Sequence, residues 1–169
     1  MPHRHAAADE NFSNQVASKG RYPSRLRFVL VWLCWVMGGL ELGMSGEVSR
    51  VVTDQDTAAR LGSGLVEAYS TPSMVALMEN ASVAAIQAHL REGQTSVGIE
   101  VAVKHLAPTP VGMRVRARAS LLQINGGRLK FQVEAWDDKE KIGEGLHVRA
   151  VLDAARFDQR LRQKTQNGT

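Results

Sequence analysis

Hydrophobic and polar residues alternate along the second half of the chain, and this alternation predicts antiparallel strands. Apolar residues recur at every second position in four segments, 95–106, 112–124, 128–136 and 141–152. A period of two is typical of a strand with one buried face. The turn sequence Asn125-Gly126-Gly127, between the second and third segments, predicts a tight hairpin. A weaker alternation over 47–53 predicts one shorter strand upstream.

A long helix is predicted between the first strand and the other four. Residues 72–90 are apolar on almost every side, which is typical of a helix covered by other structure over most of its surface. Thr71 followed by Pro72 predicts the helix start, with Thr71 as the N-cap, and Arg91-Glu92-Gly93 predicts its end. This order of elements predicts an α+β chain with the hot-dog fold, an antiparallel sheet wrapped around one long apolar helix. Cystatin-like folds are less favoured, because their helix is usually amphipathic and lies on an open sheet.

The two ends of the chain differ in composition from its centre. Residues 1–24 are polar without periodicity, and the apolar run that follows over 28–39 is shorter than the roughly 20 residues of a transmembrane helix. We divide the chain into a disordered or leader segment at 1–37, a hot-dog domain at 38–152 and a polar basic tail at 153–169. A short helix is expected within the tail near 154–162.

Three interpretations of the leader segment stay open. The true start is Met37 or Met44 with a translated leader upstream, or the apolar run is an interfacial or signal-like segment, or the segment is a genuine appendage. The first is favoured, and membrane association of residues 25–40 is not. We therefore expect a cytoplasmic protein.

The overall charge of the chain is misleading about its partners. A formal net charge of +4 suggests a nucleic-acid or membrane-surface partner. Residues 1–37 contribute +3 and residues 153–169 contribute +2, so residues 38–152 carry −1. A nearly neutral domain with few aromatic residues argues against nucleic-acid binding.

Several classes of chemistry are excluded by missing motifs. The single cysteine, Cys34, lies outside the predicted domain, which excludes an internal disulfide and a cysteine nucleophile there. No ligand spacing predicts a metal site, and the sequence has no phosphate loop, GxSxG motif or dinucleotide fingerprint. We therefore expect neither a metal nor a bound cofactor.

Three residues of the predicted domain are candidates for catalysis. Glu79 is the only formal charge between Glu67 and Arg91, and a carboxylate among apolar residues needs a partner or a function, unless it points outward at the helix edge. His105 ends the apolar face of a predicted strand. Thr71 brings a hydroxyl to a helix start, where free backbone N–H groups favour a developing oxyanion. His89 and His147 are isolated, and we expect them to be surface or structural residues.

The motifs of the chain resemble those of the fluoroacetyl-CoA thioesterase-like group of hot-dog proteins. The resemblance extends over about residues 46–165 and is carried by TPSMVALME at 71–79, EGQTSVG at 92–98, VKHLAPTPVG at 103–112 and IGEGLHVR at 142–149. It implies an acyl-CoA thioesterase, with CoA entering only as part of the substrate, that forms a homodimer or a dimer of dimers.

The resemblance also implies roles for individual residues. It assigns catalysis to Thr71, Glu79 and His105, with Glu79 acting either as nucleophile or as general base. Gly98 would line the acyl pocket, and backbone N–H groups of this glycine or of the helix start would bind the oxyanion. We also expect Ser70, Arg114 and Arg116 to bind substrate, the arginines through CoA phosphates, although arginines at alternate positions also suit a solvated strand face.

Two other functions remain open at this point. A non-catalytic dimer that binds acyl-CoA or another small ligand is the main alternative. A hot-dog dehydratase is less favoured, because no Asp-x-Asn-x-x-His pattern is present. The fluoroacetyl-specific members have an aromatic lid before the helix, whereas residues 53–70 contain no Phe and only Tyr69, which leaves the acyl group open.

Overall fold

A computed structural model of the 169-residue chain describes residues 39–166. The predictions for residues 1–37, including the apolar run that starts at Phe28, lie outside the described residues. All the described residues belong to one compact unit. No helix within residues 39–166 is both long and apolar enough to cross a membrane.

Five antiparallel strands form one sheet in the described part of the chain. They are β1 (Ser45–Val51), β2 (Gln94–His105), β3 (Arg114–Asn125), β4 (Arg128–Asp137) and β5 (Lys141–Asp153). Their spatial order is β1-β3-β4-β5-β2, so β1 and β2 lie at the two edges. All five predicted strands are present, and each observed boundary lies within two residues of its prediction.

The long helix packs on one face of this sheet. The helices are α1 (Ala58–Leu61), α2 (Thr71–Ile86) and α3 (Ala154–Gln166), and a 3-10 turn (Gln87–His89) extends α2. One face of α2 is buried, and the side chains of Met74, Leu77, Met78, Ala81 and Ala85 are each at most 4% exposed. The opposite face, which includes Ala76, Asn80 and Ala84, is exposed. The fold is the predicted hot-dog arrangement, but a single chain leaves one side of its helix uncovered.

The close approach of helix and sheet depends on two glycines. A Cβ at Gly46 on β1 would overlap the backbone of α2 at Ala81 and Ala85, and a Cβ at Gly143 on β5 would overlap Met74. Larger residues at these positions would push the helix away from the sheet. The glycines therefore determine how close α2, with its side chains, lies to the sheet.

An irregularity in β2 changes which residues face the helix. The pairing of β2 with β5 shifts in register between Gly98 and Glu100, so Ile99 is an extra residue of a β-bulge. Strict alternation predicts Gly98 and His105 on opposite faces. That prediction is wrong, because the bulge brings both to the helix side, where Gly98 lies against Glu79 and His105 contacts Thr71.

Candidate active site

A cleft of about 720 Å³ opens between α2 and the loops on either side of it. The N-terminal half of α2 forms its floor, and the loop after β2 and the segment before α2 form its walls. The cleft is lined by Ala58, Ser63, Val66, Ala68, Tyr69, Ser70, Thr71, Pro72, Val75, Ala76, Glu79, His105, Leu106, Ala107 and Pro108. Four residues predicted from the sequence, Ser70, Thr71, Glu79 and His105, therefore border the same space.

The helix start differs by one residue from its prediction. Ser70 is the N-cap, in an extended conformation, and its hydroxyl accepts a hydrogen bond from the backbone N–H of Ser73 at 3.1 Å. Thr71 is the first helical residue, so the prediction that Thr71 caps the helix is wrong. The cap occupies the hydroxyl of Ser70, which is 1% exposed, and leaves the hydroxyl of Thr71 available for other contacts.

Thr71 is hydrogen-bonded to His105. The hydroxyl oxygen of Thr71 lies 2.9 Å from Nδ1 of His105, although the two residues are 34 positions apart in sequence. Burial lowers the pKa of His105 below 6.5, partly opposed by the backbone of Ala107, so the ring is neutral at pH 7. Its Nε2 atom is buried and has no hydrogen-bond partner among the described residues. When Nδ1–H is donated to Thr71, Nε2 carries a free lone pair that can accept a proton.

Glu79 lies on α2 two turns beyond Thr71. Eight residues of helix separate their Cα atoms by about 12 Å along the axis, so the two side chains border a space between them. The side chain of Glu79 is 40% exposed, and its Oε1 atom lies 3.6 Å from Nε2 of His147. The sequence left open whether this carboxylate is buried or points outward at the helix edge, and in a single chain it is open to the cleft on one side.

Gly98 supports the carboxylate from the sheet. A Cβ at this position would overlap Oε1 of Glu79 and would lie 3.0 Å from Cε1 of His147. The carboxylate of Glu79 therefore occupies the space that a side chain at position 98 would fill.

A buried polar group behind Glu79 was not identified from the sequence. His147 is 1% exposed and Arg149 is 6% exposed, and Arg149 donates hydrogen bonds to the hydroxyl and the carbonyl oxygen of Ser96 at 3.0 and 2.8 Å. The expectation that His147 is a structural or surface residue did not anticipate its contact with Glu79. One signal was available: on strand β5, His147 and Arg149 have the same parity as Gly143 and Val151, which places them on the same face.

The structure does not bring Arg114 and Arg116 to the cleft. They alternate along β3 with Val115 and Ala117, which are 0% exposed, so they lie on the sheet face turned away from α2. Arg116 pairs with Glu47 at 3.4 Å, and its guanidinium lies 4.5 Å from the ring centroid of Trp136. Within one chain, the position of these arginines gives no support to a role in binding CoA phosphates.

No group of three or more His, Cys, Asp or Glu side chains within residues 39–166 is arranged to hold a metal ion.

Comparison with known proteins identifies relatives of this chain. Residues 52–155 match the model of the fluoroacetyl-CoA-specific thioesterase family. The fluoroacetyl-CoA thioesterase of Streptantibioticus cattleyicolor is 41% identical over 102 residues, which cover 60% of this chain and 73% of that protein.

Solved structures agree with the sequence comparison. A fluoroacetyl-CoA thioesterase structure superposes with a TM-score of 0.71 at 35% identity, over 75% of this chain and 98% of the other. A thioesterase superfamily member from Thermus thermophilus gives a TM-score of 0.71 at 31% identity, over 75% and 94% of the two chains. The chain described here therefore belongs to the fluoroacetyl-CoA-specific thioesterase family, a group of thioester hydrolases with the hot-dog fold.

Proposed function

We propose that this protein hydrolyses acyl-CoA thioesters to a free acid and CoA, using Glu79, Thr71 and His105. The observation that carries the proposal is the cleft itself, in which a carboxylate and a hydroxyl–imidazole pair border one substrate-sized space. A dimer that only binds acyl-CoA would not need the unpartnered Nε2 of a neutral His105 in this cleft. Hydrolysis is therefore favoured over binding alone.

Two routes use the same residues. In the first, neutral His105 helps to orient and activate a water, Glu79 takes a proton from it, the hydroxide attacks the thioester carbon, and the C–S bond breaks as the proton passes from Glu79 to the leaving thiolate. In the second, a Glu79 oxygen attacks the carbon, CoA leaves, and water activated by His105 opens the resulting anhydride. In both routes Thr71 orients the ring of His105 through their hydrogen bond.

The geometry of the helix start favours Gly98 as the oxyanion donor. Pro72 has no N–H group, the N–H of Ser73 is bound by Ser70 Oγ, and the N–H of Met74 is bound by the Ser70 carbonyl. Few amides of the first turn are therefore left to bind a developing charge. The backbone at Gly98 lies next to the carboxylate and belongs to the irregular part of β2.

The segment over the cleft indicates a substrate broader than fluoroacetyl-CoA. Tyr69, its only aromatic residue, is 2% exposed, and its hydroxyl donates to the carbonyl of Ser73, so it belongs to the core. Leu65 and Val66 are aliphatic side chains at the surface of this segment: Leu65 is 98% exposed, and Val66 borders the cleft. We propose short or medium acyl chains as the substrate class.

A thiol-release screen tests the proposed function. Purified protein is mixed with CoA thioesters from acetyl to decanoyl and with fluoroacetyl-CoA, and free CoA is measured with a thiol reagent. Calorimetric titration with the same thioesters measures binding. Turnover of at least one thioester supports hydrolysis. Tight binding without release of CoA by any member of the panel would establish the binding dimer instead.

His105 determines how activity falls at low pH, on the acidic limb of the profile of kcat/KM against pH. Because burial lowers the pKa of His105 from 6.5, the neutral base persists below that pH, and the midpoint of the acidic limb of kcat/KM is expected below pH 6.5. Alanine at His105 is expected to lower kcat/KM by about 10²-fold or more and to remove that limb. Thr71→Val is the comparison: it removes the hydrogen bond, so activity falls while the limb remains. A limb centred above pH 6.5 would argue against a buried neutral base.

We also propose that two copies pair through β2. This strand is a 12-residue edge, and Ile99 and Val101 on it are 48% and 42% exposed. A long edge with apolar side chains is unfavourable in water unless another chain covers it. Antiparallel pairing of the β2 strands of two copies would satisfy the free backbone hydrogen-bonding groups of both β2 strands. It would also cover the open side of α2.

Light scattering at micromolar concentration tests this pairing. The native chain is expected to have twice the monomer mass, and Ile99→Lys is expected to raise the dimer dissociation constant at least about tenfold. Leu122→Lys is a matched control, since Leu122 is a 45% exposed residue at a register shift in the interior strand β3. A monomeric native chain, or equal effects of the two substitutions, would contradict pairing through β2.

A further inference from the structure

His147 is the most deeply buried titratable side chain near the cleft. It is 1% exposed, and its ring stacks on Phe131 of β4 with centroids 6.4 Å apart. On the other side, its Cε1 atom lies against Gly98 of β2. The ring is therefore fixed by three strands, and only its Nε2 edge points toward Glu79.

The hydrogen bonds of His147 define which nitrogen carries the proton. Nδ1 lies 2.9 Å from the carbonyl oxygen of Glu100, and a carbonyl can only accept, so Nδ1 is the donor. Nε2 lies 3.2 Å from Nη1 of Arg149, which can only donate, so Nε2 is the acceptor. Burial lowers the pKa of His147 more than the Glu100 carbonyl and the Glu79 carboxylate raise it, and the charge of Arg149 adds a smaller lowering effect. The ring is neutral with a lone pair on Nε2.

Two charged side chains of the described structure face this ring. Glu79 approaches from α2, with Oε1 at 3.6 Å from Nε2, and Arg149 approaches along β5. Strand β2 contributes the backbone of Glu100, and β4 contributes the aromatic ring of Phe131. The carboxylate thus meets an acceptor on its His147 side, and the carboxylate and the guanidinium both approach the same ring atom, Nε2.

We propose that His147 is a positioning residue for Glu79, which accepts a hydrogen bond from Glu79 once that group has taken a proton from water. The inference rests on the proposed function and selects its general-base route. An ionised carboxylate gains nothing from a lone pair at 3.6 Å, whereas a protonated carboxyl can donate to it. The proton then returns from Glu79 to the CoA thiolate as the C–S bond breaks.

Arg149 does not depend on this interaction for its place. It keeps its hydrogen bonds to the hydroxyl and carbonyl of Ser96 when the protonated Glu79 shares the lone pair of Nε2. Both charged groups lie within 3.6 Å of Nε2, so removing this atom would leave the guanidinium free to pair with the carboxylate. An arginine paired with Glu79 would stabilise its ionised form and make it a weaker base.

Two substitutions at one position separate this role from simple packing. In His147→Asn the amide nitrogen replaces Nδ1 and can keep the bond to Glu100, but no atom replaces Nε2. In His147→Gln the terminal amide reaches the place of Nε2 and can again accept from Glu79. We expect the Asn variant to lose about 10- to 100-fold in kcat with KM within about twofold, and the Gln variant to recover part of that loss.

Profiles of kcat against pH, measured below the unfolding temperature of each variant, complete the test. The acidic limb, which follows from His105, is expected to keep its midpoint in His147→Asn while kcat falls across the profile. His89→Asn, on an exposed histidine, is the control. A lower Tm with unchanged kcat, a displaced limb, or equal losses in the Asn and Gln variants would overturn the inference. Glu79→Gln is assayed in parallel: wild-type activity in that variant would instead overturn the proposed function.

Discussion

Glu79→Gln is expected to lower kcat for acyl-CoA hydrolysis by about 10³-fold while KM changes by less than about threefold. The amide has nearly the same shape as the carboxylate, so the contacts of residue 79 with Gly98 and His147 are retained. It can neither take a proton from water nor attack a thioester. Initial rates of CoA release, with the best thioester of the panel, measure the loss.

Glu92→Gln is the matched control for this substitution. Glu92 is exposed in the turn before β2, at a distance from the lining of the cleft. Its variant is expected to keep wild-type kcat and Tm. If Glu79→Gln retained more than about a third of wild-type kcat, Glu79 would not be the base or the nucleophile, and the binding dimer would become the better interpretation.

The strands and the long helix could be predicted because burial of one side of each element determines its pattern of hydrophobic and polar residues. On β3, Val115, Ala117 and Ala119 alternate with arginines and are 0% exposed, as the alternation requires. Most of the buried residues of α2 are likewise apolar, as predicted for this helix from its sequence. In these elements the hydrophobic pattern of each segment agrees with the tertiary structure. The sequence alone was therefore sufficient to predict them.

The irregular positions could not be predicted, because their geometry depends on distant contacts. The β-bulge at Ile99 exchanges the faces of β2, and nothing in the alternating segment 95–106 indicates where the extra residue falls. The capping role passes from Thr71 to Ser70, since both are hydroxyl residues ahead of a proline. The one-residue shift of the N-cap decides whether Thr71 contacts His105. The one extra residue in β2 decides whether Gly98 contacts Glu79.

The polar residues behind the site were missed for a related reason. His147 and Arg149 were identified as part of a family-like segment, but a lone histidine on a strand gives no indication of its partner. Glu79 lies 68 positions earlier in the chain, and only the packing of α2 on the sheet brings the two together. Arg114 and Arg116 illustrate the converse, because a conspicuous basic stripe proves to face away from the cleft.

Gly98→Ala is expected to lower kcat by about 10²-fold, which is the cost of displacing a reacting group by about 1 Å. The new Cβ would overlap Oε1 of Glu79 and press on Cε1 of His147 at 3.0 Å. The carboxylate must therefore move away from its place over β2. Global stability should change little, since the carboxylate can swing toward the open side of the cleft. Thiol-release kinetics and Tm are the two measurements.

The control and a double variant decide whether this loss acts through the carboxylate. Gly64→Ala adds a Cβ at an ordinary distance of 3.4 Å from Ala58 and should leave kcat unchanged. Because Gly98→Ala displaces Glu79, adding it to Glu79→Gln should reduce kcat little further, and the two effects should be strongly non-additive. Additive losses would mean that Gly98 acts on the substrate independently, for example through its backbone N–H at the oxyanion. The cycle therefore distinguishes space for the carboxylate from binding of the oxyanion as the reason for a glycine at position 98.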